Sequence, residues 1–183
     1  TDDTQMTLFT VEGLIRERAI HIIEGLPVNE TFNWVERVSI ELTTQMLATL
    51  FNFPFEDRRL LTHWSDVATM RPMTTEQWEY REAELGKCLE YFVRLWNERV
   101  NAPPTYDLVS MLAHAPATRN MPPREYLGNL ILLIVGGNDT TRNSLTGGLY
   151  FLNQNPGEYD KLRANPGVIP NMVSEIIRYQ TPL

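Results

Sequence analysis

The segment from Leu130 to Gly148 reads LILLIVGGNDTTRNSLTGG, and its centre, Gly136-Gly137-Asn138-Asp139-Thr140-Thr141, holds the residues best suited to chemistry. Asp139 offers a carboxyl and Thr140 a hydroxyl in adjacent positions, a pairing able to pass protons to a small bound oxygen species by general-acid catalysis. The two glycines remove side chains, so a flat or small ligand can approach the backbone. Apolar residues on both sides point to a long buried helix. Yet each glycine costs about 1 kcal/mol against alanine inside a helix, and Asn, Asp and Thr are weak helix formers. Local inconsistency of this kind concentrates at functional sites. The expected geometry is a kinked or widened turn, with the Thr140 hydroxyl drawing the Gly136 carbonyl out of the helix ladder. A structural reading stands beside it: LILLIV as a buried strand with GGNDTT as the turn after it, or Asp139 bonded only to nearby backbone donors. The segment has neither the Gly-Lys-Ser/Thr ending of a phosphate loop nor the G-x-G-x-x-G of a dinucleotide site.

A second feature lies downstream. Glu175 and Arg178 stand at i, i+3 on one helix face. Exposed pairs of this kind contribute only about 0.2–0.5 kcal/mol, and Glu56 to Arg59 repeats the pattern, so position rather than spacing gives the pair its interest.

The elements that must carry these residues are helices. Val11, Leu14, Ile15, Ala19, Ile22, Ile23 and Leu26 follow helical spacing up to Gly25-Leu26-Pro27. A helix from about Trp34 to Phe51 is expected to bury Val35, Val38, Leu42, Met46 and Leu50, and Asn52-Phe53-Pro54 ends it. Another spans about Glu56 to Met70 with Leu60, Leu61, Trp64 and Val67, followed by the loop Arg71 to Thr75, where Thr75 is the expected cap. A long helix, Glu76 to Val100, carries Leu85, Cys88, Leu89, Phe92, Leu95 and Trp96 as its apolar stripe before Pro103-Pro104. A short helix at Asp107 to His114 follows. Helix-compatible sequence then runs from Pro122-Pro123 to Asn155-Pro156, with two more helices at Gly157 to Asn165 and Pro170 to Tyr179. No stretch alternates with period two between turn residues, so the fold class is all-α.

Composition narrows the function classes. At 183 residues with 43% apolar and 21% charged side chains, the sequence is that of an ordinary globular chain. The net charge of −7 and the absence of a basic run beyond Arg58-Arg59 argue against nucleic acid as a partner. The longest apolar run, Leu130 to Val135, falls far short of the roughly 20 residues of a membrane span. The single cysteine, Cys88, allows no internal disulfide and fits a reducing, cytoplasmic compartment.

A Gly-Gly-x-Asp-Thr-Thr helix, a short connecting helix and a Glu-x-x-Arg helix, in that order and spacing, resemble the cytochrome P450 family. The strings ELTTQMLATLF (41–51) and RLWNERVNAPP (94–104) and the run from Met121 to Ser144 are similar to one bacterial branch, the medium-chain alkane terminal hydroxylases. The resemblance covers essentially the whole chain. It implies a partial P450 fold in which 1–183 is one piece of a single domain, truncated at both ends and inactive by itself. It implies that Gly136 and Gly137 admit dioxygen, that Asp139 and Thr140 deliver protons, and that Leu132 and Val135 face haem and substrate. Glu175 and Arg178 become an internal structural ion pair, and the helices either side of Arg71 to Thr75 a mobile lid, with Met70, Pro72 and Met73 as its apolar lining.

The implied cofactor is haem b, held by a cysteine thiolate in a Gly-rich loop after Glu-x-x-Arg. Cys88 departs from that pattern: it precedes the glycine helix, sits on an apolar stripe and has no such loop, so it reads as a free buried thiol, and the axial ligand is expected outside this chain. His21, His63 and His114 have no metal-ligand spacing. The implied activity is haem-thiolate monooxygenation, with dioxygen and two electrons, at the terminal carbon of an alkane or fatty chain. A ferredoxin and its NAD(P)H-dependent reductase would be the electron donors. The alternative class is an all-α ligand-binding or regulatory domain without redox chemistry.

Overall fold

In the computed structural model, which describes residues 2–182, the chain forms eight α-helices and no strand among those residues. They are α1 (Asp2–Glu24), α2 (Glu41–Phe51), α3 (Arg59–Thr69), α4 (Thr75–Val100), α5 (Leu108–His114), α6 (Pro123–Gln154), α7 (Gly157–Ala164) and α8 (Ile169–Gln180). The all-α reading holds. The chain divides into two compact units: Thr44–Asn138, and Thr1–Thr43 together with Asp139–Leu183. Helix α6 contributes to both.

The unit spanning Thr44–Asn138 has an aromatic core. The α4 stripe buries Leu85, Cys88, Phe92 and Leu95 at helical spacing, as the periodicity requires. Phe92 lies edge-on to Phe51 at 5.3 Å, and Phe53 stacks on Tyr91 at 4.6 Å. Trp64 on α3 completes the cluster against Phe53 and Phe92. Tyr126, near the start of α6, donates its hydroxyl to the Phe92 carbonyl at 3.2 Å, which satisfies a buried phenol and seats α6 on α4. Tyr91 closes the 3₁₀ turn at Phe55–Asp57 through a 2.6 Å bond to Asp57.

The ends of these helices are set by local chemistry. Asn52, in the left-handed region at φ 46°, terminates α2, and Phe53 N–H reaches back to the Ala48 carbonyl at 2.8 Å, a Schellman closure. Helix α4 opens with a capping box in which Thr74, one residue before the expected Thr75, pairs with Gln77. Arg81 donates to the Ala68 carbonyl at 3.2 Å, and His63 bonds Glu84 at 2.8 Å, so two contacts join α3 to α4 across the loop between them.

The other unit contains α1, the second half of α6, α7 and α8. Here Gly147 and Gly148 are the contact points: a Cβ on Gly147 would occupy the space of the Gln180 side chain, and one on Gly148 would lie 2.9 Å from Ile176 Cδ1. Glycine therefore permits α8 to cross α6 closely. Phe151 and Tyr179 meet edge-on at 5.0 Å on the same face. In α1, Ile22 is buried while Ile15 and Ile23 are exposed, and the Val11 side chain lies outside the described residues.

One element differs from its expected form. The segment Val35–Ile40 is a π-helical turn that runs directly into α2. The extra residue in a π turn rotates everything after it by about 100° relative to a continuous α-helix. Consequently Leu42, Met46 and Leu50 are only half-buried, whereas Thr43, Leu47 and Phe51, each one position later, are buried.

Replacing Phe92 with alanine removes the centre of the aromatic cluster. The expected loss is about 3–5 kcal/mol, measured by denaturant unfolding; a loss below about 1 kcal/mol would mean that the cluster collapses to fill the gap.

Candidate functional site

The sequence places its chemistry at the middle of α6, and the structure makes that segment a continuous helix. No π turn interrupts 136–141, and no glycine adopts positive φ. The expected widened turn is absent because glycine accepts helical φ and ψ; what Gly136 and Gly137 contribute is set by the space around each.

The two glycines are not equivalent. Gly136 is exposed, and a Cβ added there meets no atom within 4 Å outside its own helix neighbours. Gly137 packs against α2: a Cβ there would lie 2.8 Å from Leu47 Cδ2, and Leu47 is itself buried. Gly128, Leu132 and Gly136 recur every four residues, so one side of α6 is bare; Gly128 also has open space, and Leu132 is 71% exposed. Val135 is half-buried beside this strip, and Thr140 continues it, also half-buried.

Asp139 is 5% exposed, immediately after the fully buried Asn138. Its Oδ1 accepts from Arg142 Nη2 at 3.0 Å, and both side chains are largely removed from water. The backbone carbonyl of Arg142 accepts the Thr146 hydroxyl at 2.9 Å, and Thr146 Oγ1 lies 3.0 Å from Ser39 Oγ in the π turn. Asp139, Arg142 and Thr146 thus form a polar stripe at i, i+3 and i+7. Sequence reading missed Arg142 and Thr146, although the same i, i+3 rule that singled out Glu175 and Arg178 applies to Asp139 and Arg142.

The remaining candidates lie elsewhere. Met70 and Pro72 are half-buried and Met73 is 90% exposed, in the loop between α3 and α4, where Met73 N–H is held by Gln77 Oε1 at 2.7 Å. Glu175 and Arg178 form a two-point ion pair at 2.6 and 2.8 Å. Both side chains of that pair are more than 60% exposed in this chain, and the guanidinium holds the Glu175 carboxyl below the usual carboxylate range. Cys88 is fully buried among apolar residues, and desolvation pushes its thiol up to about 12, the state of an inert core thiol. Among the described residues no group of three or more His, Cys, Asp or Glu side chains is placed to hold a metal ion, and no helix is long and apolar enough to cross a membrane.

No family model matches the chain. Individual proteins do. The solved structure of cytochrome P450-153 from Novosphingobium aromaticivorans is 45% identical, with a TM-score of 0.89 over 98% of this chain and 43% of that one. CYP153D17 from Sphingomonas sp. PAMC 26605 is 48% identical, with a TM-score of 0.87 over 98% of this chain and 45% of its own. Among curated proteins, linalool 8-monooxygenase of Pseudomonas putida is 31% identical across 94% of this chain and 43% of that protein. The chain therefore spans about two-fifths of the length of the relatives it matches.

The contrast between neighbouring glycines yields opposite expectations for one substitution. Gly136→Ala should stabilise the protein by about 1 kcal/mol, because it gains helix propensity without a clash. Gly137→Ala should cost about 1 kcal/mol net, since overpacking against Leu47 exceeds that gain. Paired unfolding curves measure both, and equal signs would contradict the assignment.

Proposed function

The chain belongs to the cytochrome P450 family, and we propose that it is part of a monooxygenase that hydroxylates the terminal carbon of medium-chain alkanes or related fatty chains. The observation that carries this reading is the two-sided construction of α6, bare along Gly128, Leu132 and Gly136 and acidic at the adjoining buried turn. The 45% and 48% identities to the two P450-153-type structures support the branch.

The α6 residues fit a haem. An apolar residue as large as Leu132 left 71% exposed, between two glycines whose Cβ positions are open, leaves a strip that a flat macrocycle can cover. Leu132 and Val135 would hold haem b and the apolar substrate from this side. The cysteine that would hold the haem would come from outside this chain, since Cys88 is committed to the α4 core. When bound, haem with a thiolate ligand supplies the activation of dioxygen.

The chain's own residues divide the rest of the work. Gly136 would leave room beside the helix backbone for dioxygen, whereas Gly137 seats Leu47 of α2 and so holds that stretch of the helix in place. Asp139 and Thr140 would serve as the proton path: the Asp139 carboxylate takes up a proton from water and hands it on through water to Thr140 Oγ1, whose hydroxyl gives up its own proton in turn. Met70, Pro72 and Met73 line a lid formed by α3, α4 and their loop, which excludes water from an apolar substrate. Glu175 and Arg178 brace the haem-binding part of the intact domain. Electrons come from a ferredoxin and its NAD(P)H-dependent reductase, and the enzyme works in the cytoplasm as a single P450 domain of which 1–183 is a part.

Replacing Thr140 with alanine in the intact enzyme tests the relay. NADH oxidation should continue while alcohol per NADH falls by about 10²-fold and peroxide takes its place. The assays are product chromatography and a peroxide assay on the same reaction, with n-alkane as substrate. Unchanged coupling of NADH to alcohol would sink the assignment. The characteristic thiolate spectrum of the reduced carbon monoxide complex of the intact protein tests the cofactor.

A further inference from the structure

We propose that Arg142 is the positioning residue of this relay: its guanidinium fixes the Asp139 carboxyl in the orientation from which a proton reaches the Thr140 hydroxyl. The inference rests on the relay reading above and extends it to a residue that is not a member of the relay.

Three observations converge on Arg142. First, the pair is buried: Asp139 and Arg142 side chains retain only 7% and 16% of their exposure, and Nη2 lies 3.0 Å from Oδ1. A carboxylate withdrawn from water to that extent needs an opposite charge, and loss of the partner is costly. Glu175 and Arg178 have the same spacing, but they are exposed, where such pairs contribute little.

Second, the guanidinium is a rigid planar fork, so it constrains the direction of a carboxylate as well as its charge. Asp139 and Thr140 are adjacent on α6, where neighbouring side chains diverge, so a proton passes between them through water and the direction of the carboxylate decides whether that water can serve both.

Third, the turn that carries Arg142 is itself anchored. Its carbonyl accepts the Thr146 hydroxyl, and Thr146 meets Ser39, a fully buried residue of the π turn. The π turn places Ser39 at this polar stripe; such turns recur at functional sites.

The test compares Arg142→Met, Arg142→Lys and Asp139→Asn in the intact enzyme at equal haem content. Arg142→Met should keep KM unchanged while alcohol per NADH falls about tenfold, less than the roughly 10²-fold or greater loss on removing a positioned proton donor. Arg142→Lys keeps the charge without the planar fork and should recover part of the coupling. A second readout is the infrared spectrum of the resting protein. The carboxyl band that disappears in Asp139→Asn should shift in Arg142→Met and return partway in Arg142→Lys.

Parent-like coupling with an unmoved band in Arg142→Met overturns the positioning role. So does a coupling loss with an unmoved band that lysine fails to rescue, which marks a structural effect. Should Arg142→Met not take up haem, Arg142→Lys decides: parent-like coupling and band count against the role, and a partial loss with a shifted band supports it. Asp139→Asn with full coupling overturns the relay itself. Asp139→Asn uncoupled beside fully coupled Arg142 variants overturns only the role of Arg142.

Discussion

Helix α6, 32 residues long, is packed closely at some of its glycines and bare at others, and that contrast sets how its neighbours can approach it. Its glycines sort by which side they occupy. Gly137, Gly147 and Gly148 stand where Leu47, Gln180 and Ile176 press in, so glycine sets how closely a neighbour can approach. Gly128 and Gly136 face open space, so no neighbour within the chain accounts for the missing side chain. A stretch that looks like a uniform violation of helix propensity therefore has two separate causes. Some of the cost of glycine is recovered in helix crossings; at Gly128 and Gly136 no contact within the chain recovers it.

The aromatic core of Thr44–Asn138 provides the rigidity. Phe51, Phe53, Trp64, Tyr91 and Phe92 interlock with edge and stacked geometries, and Tyr126 ties the first turns of α6 to α4 through a buried hydrogen bond. Polar contacts take over at the border of this core, where His63, Glu84 and Arg81 connect α3 with α4. A loop held by a capping box and two polar contacts has less apolar packing to lose on opening than the core beneath it. That gradient of packing makes the loop easier to open locally than the core.

Much of this was legible in the sequence. Helical periodicity located α3 to α8 to within a few residues, since their apolar stripes end at proline or asparagine, but α1 begins at Asp2, well before the periodic run from Val11, and the stretch expected as one helix from Trp34 opens with the π turn before α2. Thr74 was missed as a cap because Thr75 is chemically equivalent, and only the Gln77 partnership separates them. The buried face of α2 was misread by one position because periodicity assumes 3.6 residues per turn and Val35–Ile40 does not obey it. The widened turn expected at Gly136-Gly137 did not form: propensity measures the cost of a residue in a helix, and burial of the surrounding turns outweighs that cost here. Asp139 and Thr140 were singled out by type alone. Arg142 was passed over because an arginine after two threonines reads as a solvated helix residue until its burial is known.

The π turn has one more consequence. It amounts to one residue inserted into a helix without breaking it, so the strand of apolar positions before Ile40 and the one after Glu41 belong to different frames. Any two related chains that differ only in possessing this insertion would bury different side chains from almost the same letters. A gap placed anywhere else in their alignment would turn Thr43, Leu47 and Phe51 into surface residues on paper. The correct position of that gap is therefore fixed by the geometry of six residues, whatever the similarity of the strings on either side.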